Sequence, residues 1–368
     1  MAVVLSLLWG VGCSSDPDST TGGSTGDAVT APVAVRVRKS WSSLSSKERK
    51  QFIDGVVALK KKTDLRFDYA SDCAGKPGEY VKNRYDYYVE MHLKAFQMKA
   101  HMHDALNRPH MGPQLLPWHR ELLARLEQDL REVLGDPEYT IPYWDWSSPA
   151  AAAAFSVEDL GDKGACAASV GQDPGDVKGY IADQGFQSNL YHQLGPNFTE
   201  INVVCEMKKI ARANGCNPMA PGLPTVAEVA HAMDMPNYDV APYDSMSTDE
   251  HKSFRQYIEG FSKDDVNEPS GLCSLAGCKM HGQVHLWVGG TVGAATGPND
   301  PIFFLLHSNL DRIWAEWQDK YGDKTYPSTA PDDYTGALFG FTDEKGAPVE
   351  ARTTFDNRAH GYIYDTQK

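Results

Sequence analysis

Residues 110–135 read HMGPQLLPWHRELLARLEQDLREVLG. From Arg120 onward, Leu122, Leu123, Leu126, Leu130, Val133 and Leu134 recur at three- and four-residue intervals, which gathers them into one apolar stripe on a helix. Gly135 follows the last of them, and glycine takes the left-handed conformation that ends many helices without a Cβ penalty. The spacing predicts a helix over 120–134, opened by His119, with His110 on the far side of MGPQLLPW. A helix with a single apolar face has to bury it against other elements, so the core is read as helical.

The neighbouring sequence extends that reading. Ser45-Ser46-Lys47-Glu48 has the capping-box pattern, and Phe52, Val56 and Leu59 follow at helical spacing. Residues 85–102 mix polar and apolar residues without Pro or Gly, and helical character returns over 248–261, 279–288 and 309–321. Residues 147–249 are rich in Pro, Gly and Asn and read as irregular, and about the last fifty residues read as turns and short strands. The expected fold is mainly α, a four-helix-bundle core with long loops and few short strands, in one domain over 35–368. Residues 14–34, mostly Ser, Thr, Gly and Asp, read as a flexible tether. Residues 1–13 are apolar and end at Cys13, like a bacterial lipoprotein signal, although no Lys or Arg precedes the run and Gly10 stands where Leu is usual.

The chain has 368 residues, with 35 basic against 49 acidic side chains and a net charge of −14. That balance excludes adhesion to nucleic-acid phosphates or anionic lipid by charge. Seven cysteines leave six once Cys13 is set aside, enough for three disulfides in an exported protein. Short spacing favours Cys273–Cys278 and Cys205–Cys216, which leaves Cys73–Cys166; scattered thiols are the alternative.

Twelve histidines are distributed unevenly. His281 and His285 lie four apart, on one side of a helix, and His307 follows in FFLLHSNLDRIWAEW. MHGQVHLW has no Glu after its first His, so the base of a helical zinc protease is missing. Three neutral imidazoles without a thiolate suit copper or zinc and leave a coordination position open. His110 and His119 can form a second trio with His92, for which His101 and His103 are rivals. His192, His231, His251 and His360 stand alone and receive no role. Two metals so held in a bundle core could act on one small molecule.

These residues resemble the tyrosinase family of type-3 copper polyphenol oxidases. The likeness is carried by HMGPQLLPWHRELLARLEQDL (110–130), IPYWDW (141–146), HGQVHLWVGG (281–290) and PNDPIFFLLHSNLDRIWAEWQ (298–318), and YYVEMH (87–92) favours His92 over its rivals. It is to the bacterial members, which lack the large C-terminal lid of fungal and plant enzymes. The resemblance implies two copper ions, one on His92, His110 and His119 and the other on His281, His285 and His307. It implies oxidation of o-diphenols to o-quinones with O2, preceded in true tyrosinases by phenol hydroxylation.

Several positions depart from the family pattern. Gly282 stands where many members carry an Asn that, with a Glu matched here by Glu259 in YIEGF, holds a water. Leu286 stands where strong monophenolases carry Arg, Leu306 replaces a further histidine, and Ala295 falls at a gating position that is bulkier in some relatives. No Cys lies near His110 to form a thioether. Trp118, Trp287, Phe303 and Phe304 either keep the site dry or simply pack the core. The expectation is an exported dicopper oxidase, secreted or held to a membrane through lipid on Cys13 alone. It leans to catechol oxidase, with full tyrosinase or o-aminophenol oxidase next. A haemocyanin-like oxygen binder and a zinc hydrolase are the readings from other classes. A phenolic small molecule and O2 are the expected partners, nucleic acid is not, and no residue specifies a copper-delivery protein.

Overall fold

In the computed structural model, which describes residues 35–63, 83–100, 109–164, 175–194, 201–241, 243, 251–260, 279–323, 325–327 and 336–367, the chain enters through β1 (Arg36–Arg38) and then α1 (Ser46–Lys61). For 97–100, 188–194 and 201–207 only the backbone is described. The Ser45 side chain accepts from the Glu48 N–H, and the Glu48 carboxylate accepts from the Ser45 N–H at 2.8 Å, so the expected capping box is made in both directions. Next come α2 (Arg84–Ala100) and α3 (Leu115–Leu134). Gly135 ends α3 at φ 61°, as its place in the sequence predicts. The start of α3 differs: the helix begins at Leu115, with Pro117 in its first turn, where a missing N–H breaks no hydrogen bond. His119 is therefore inside the helix and does not open it.

The stretch read as irregular contains regular elements. β2 (Gly175–Asp176), α4 (Tyr180–Asp183), an antiparallel hairpin of β3 (Ser188–Leu194) and β4 (Ile201–Lys208), β5 (Ala211–Arg212) and α5 (Val226–Met233) all lie there. Thr225 and Glu228 form a second capping box at the start of α5. α6 (Phe254–Glu259) is shorter than expected: Ser253 caps it, and Gly260, at φ 86°, ends it. The expected residues 248–250 and 261 lie outside the described residues.

α7 (Met280–Val288) matches its expected span. α8 (Ile302–Tyr321) begins well before the expected 309, which moves His307 from the helix start into its second turn. Asp300 stands just before that start. Its carboxylate accepts from the Ile302 N–H at 3.1 Å while the fully buried Arg212 grips it at 2.6 and 2.7 Å. β6 (Ala337–Thr342) and β7 (Pro348–Glu350) pair antiparallel, and β8 (Tyr362–Tyr364) returns to run parallel to β1.

α2, α3, α7 and α8 are the four helices of the core, with α1 laid along α2 and α3. Gly55 permits that approach, since a Cβ there would sit 2.7 Å from Leu130 Cδ2. Leu122, Leu123, Leu126 and Leu130 are buried as the stripe predicts, and Val133 and Leu134 pack half-buried at its end. A buried ionic knot joins β1 and β8 to this core. Asp311 on α8 accepts from Arg120 at 2.5 Å, Arg38 at 3.3 Å, and the hydroxyls of Tyr362 and Tyr364 at 2.6 Å each. The described residues belong to one compact unit, Ala34–Lys368. Among them no helix is long and apolar enough to cross a membrane. Cys13, Cys73, Cys166, Cys273, Cys278 and the side chain of Cys205 lie outside the described residues, and so do His101, His103 and the side chain of His192.

Candidate metal centre

Six histidines converge in two trios at the middle of the four helices. In His92, His110 and His119, and again in His281, His285 and His307, one nitrogen per ring lies within 4.8 Å of the others. α2 carries His92, α3 carries His119, α7 carries His281 and His285, and α8 carries His307; His110 sits in the turn before α3. His285 is half-buried, and the other five are buried.

Backbone carbonyls orient the rings. His92 Nδ1 lies 2.6 Å from the Ala295 carbonyl, His119 Nδ1 2.8 Å from that of Leu115, and His285 Nδ1 2.9 Å from that of Val292. A carbonyl oxygen only accepts, so each Nδ1 carries the proton and each Nε2 presents a lone pair to the centre. His285 Nε2 lies 3.0 Å from His281 Nε2 and 3.3 Å from His307 Nε2, which are themselves 3.3 Å apart. His92 Nε2 lies 3.1 Å from His110 Nε2, and His119 Nε2 is buried without a hydrogen-bond partner.

A triangle of nitrogens, one of them necessarily an acceptor, is satisfied by a single cation between them. Imidazole nitrogens about 2 Å from one ion stand at about this separation. The residues therefore fit two metal ions, and an all-imidazole set with no carboxylate or thiolate suits copper. Burial keeps the rings neutral and ready to bind. It pushes His92 down to about 3 and His285 down to about 4, and holds His119, His281 and His307 well below the usual histidine range.

Phe303 lies against both trios, with ring centroids 4.9 Å from His92, 5.8 Å from His285 and 4.1 Å from His307. Trp118 packs on His119 at 4.9 Å and is anchored through its indole N–H to the Phe339 carbonyl. These two aromatics face the centre. Phe304 packs on Tyr85 and Trp287 on Trp144, so those two belong to the surrounding core.

The other positions singled out in the sequence lie close by. Gly282 is buried on α7 directly after His281, and Leu286 is buried directly after His285. Leu306 is buried on α8 beside His307. Ala295 is buried, and its carbonyl, which holds His92, is its clearest contact with the site. Glu259 ends α6, where its carboxylate accepts from the Met111 N–H and from Arg255 Nη1 at 2.5 Å. Val292, Met111, Arg255 and Asp239 were not foreseen. A carbonyl contributes through its position and is the same group in every residue, so composition and spacing carry no sign of it. His231 and His251 lie elsewhere, both against the ring of Tyr257.

The common central domain of tyrosinase matches residues 82–320. The chain is 30% identical over 339 residues to a tyrosinase of Streptomyces glaucescens, covering 90% of this chain and all of that one. It is 28% identical over 307 residues to the grixazone synthase of Streptomyces griseus, covering 78% of this chain and 86% of that one. Its fold is similar to that of a polyphenol oxidase from Thermothelomyces thermophila, with a TM-score of 0.61 at 20% identity over 92% of this chain and 91% of that one. With the domain match spanning most of the chain and the two histidine trios at its core, the chain belongs to the tyrosinase family and is a type-3 copper polyphenol oxidase.

Proposed function

We propose that this chain oxidises catechols to o-quinones with O2, at two copper ions held by His92, His110 and His119 and by His281, His285 and His307. The observation that carries this reading is the state of the position that would serve a monophenol. Gly282 has no side chain to hold a water, and each oxygen of Glu259 already has a donor, Met111 or Arg255. A catechol ionises more readily than a phenol and depends less on such a base. Each catechol gives up two electrons and two protons, so two catechols and one O2 yield two quinones and two waters.

Copper held by these residues would supply O2 activation and the redox chemistry. The protein holds His92, His119 and His285 in fixed tautomers through backbone carbonyls, and Trp118 and Phe303 exclude water around the site. The half-buried side of His285 is the direction from which substrate approaches. Gly282, Leu286 and Ala295 shape the pocket beside that route, and no large side chain among them narrows it. Oxygen uptake by the copper-loaded chain with a simple catechol, then with the matching monophenol, tests the reading. Uptake with the catechol alone is expected. Uptake with both makes the chain a full tyrosinase, the second reading, which the name of the Streptomyces glaucescens relative favours. The grixazone synthase likeness makes an o-aminophenol the third substrate to try.

Export belongs to the same proposal, as does the division into a signal-like segment (1–13), a tether (14–34) and a catalytic domain (35–368). What supports it is the composition of residues 1–34 and the six further cysteines. The short spacing of Cys205 and Cys216 supports their pairing. Six reactive thiols in the unfolded, unreduced chain would overturn the disulfide part.

A further inference from the structure

His110 is the one histidine of the six that no described helix carries, since it lies in the turn before α3. The next residue, Met111, has φ 58°, in the left-handed region that non-glycine residues rarely adopt. Such a turn persists only where its surroundings hold it.

The holding group comes from far along the chain. Glu259, at the end of α6, accepts from the Met111 N–H with one carboxylate oxygen, and Arg255 Nη1 lies 2.5 Å from the other. Arg255 is fully buried and is itself fixed by Asp239, at 2.8 Å from Nε and 3.1 Å from Nη2. Asp239 in turn accepts from the Ser253 hydroxyl at 3.1 Å and the Val240 N–H at 2.8 Å. Tyr238, beside Asp239, donates to the Pro113 carbonyl at 2.6 Å, so the same group of residues grips the 111–113 turn twice.

The end of α6 also meets the second trio. Gly260 lies so close to the start of α7 that a Cβ on it would sit 1.8 Å from the Lys279 carbonyl. Met280, next in line and directly before His281, is a second left-handed non-glycine residue, at φ 45°.

We propose that Glu259 is a positioning residue for the copper ligand His110: its carboxylate, fixed by Arg255, holds the Met111 N–H and with it the left-handed turn that aims His110 at His92. This rests on the six-histidine reading above. It gives Glu259 a task separate from holding a water or accepting a substrate proton.

The test is copper retention, read as copper per chain and as the rate of loss to a chelator. Glu259→Gln keeps size and shape, but its single carbonyl oxygen can serve Met111 or Arg255 and not both. It is expected to lose one of its two copper ions roughly ten- to hundredfold faster than the unaltered chain, as ligand-orienting groups do when removed. Adding Met111→Gly, which takes φ 58° without strain, is expected to restore most of that retention. Met111→Val leaves the ionic network untouched and disfavours the turn, so it is expected to lose one copper faster even if the Glu259 variant fails to fold. Unchanged release from the Met111→Val or Glu259→Gln variants overturns the proposal, and so does a Glu259→Gln loss that Met111→Gly leaves uncorrected. An unaltered chain that takes up no copper overturns the six-histidine reading and the proposal with it.

Discussion

The imidazole of His119 stacks on that of His307, with ring centroids 4.2 Å apart and 10° between their planes. One ring belongs to α3 and the first trio, the other to α8 and the second. The two metal sites therefore share a wall, and Phe303 closes that wall against both. Damage to either helix is expected to reach both trios.

His285→Ala removes the half-buried member of the second trio. Copper is expected to fall from two ions per chain to about one, with catechol oxidation lost. The two measurements are metal analysis and oxygen uptake, and retained oxidase activity would remove His285 from the ligand set.

Phe303→Ala opens a void between the trios and is expected to destabilise the fold by about 3–5 kcal/mol, whereas Phe303→Leu keeps much of the volume and costs less. Denaturant unfolding of the copper-free chain separates this packing cost from any change in metal binding. Equal stability of the two variants would contradict the packing account.

Asp311→Asn leaves Arg120 buried with its carboxylate partner gone, while Arg38 keeps Glu127 at 2.8 Å, and is expected to cost roughly 3–5 kcal/mol. Part of that cost falls on the β1–β8 pair, because Tyr362 and Tyr364 donate to the same carboxylate. Thermal unfolding checks the size, and earlier proteolysis at the chain ends checks the location.

In the metal-free chain, burial holds His92 near 3 and His285 near 4, against 6.5 when unfolded. Between those limits the unfolded chain binds more protons than the folded one. Stability is therefore full above about pH 6.5 and falls as the pH drops toward 4, by up to about 1.4 kcal/mol per pH unit for each such histidine. Calorimetry of the metal-free chain from pH 8 to 4 reads this directly. A flat profile below pH 6.5 would contradict it.

Gly282→Asn supplies a side-chain amide directly after His281, able to hold a water. Because Glu259 is engaged by Arg255 and Met111, monophenol hydroxylation is expected to stay low in this variant. A large gain in monophenol oxygen uptake would show that the amide suffices without that carboxylate.

Much of this protein was legible before its structure was. The stripe from Leu122 to Leu134, the Ser45–Glu48 box and the stop at Gly135 are local signals, decided by spacing along one helix. Residue type and helical spacing singled out His281 with His285, whereas His92 was preferred to His101 and His103 only through the family resemblance. Helix starts were read less well. Pro117 in the first turn of α3 resembles a break, and Asp300, whose carboxylate accepts from the first N–H of α8, is held by Arg212, 88 residues away in the chain.

The sequence by itself determined which groups could bind metal and which stretches would wind into helices, because both follow from side-chain identity at short range. Only the tertiary structure decided which nitrogen of His92, His119 and His285 faces inward, through the carbonyls of Ala295, Leu115 and Val292, and where the Glu259 carboxylate goes. Those outcomes depend on where the packed chain brings backbone groups together. A carbonyl or an N–H is the same group at nearly every position, so composition and spacing cannot single out the ones that act.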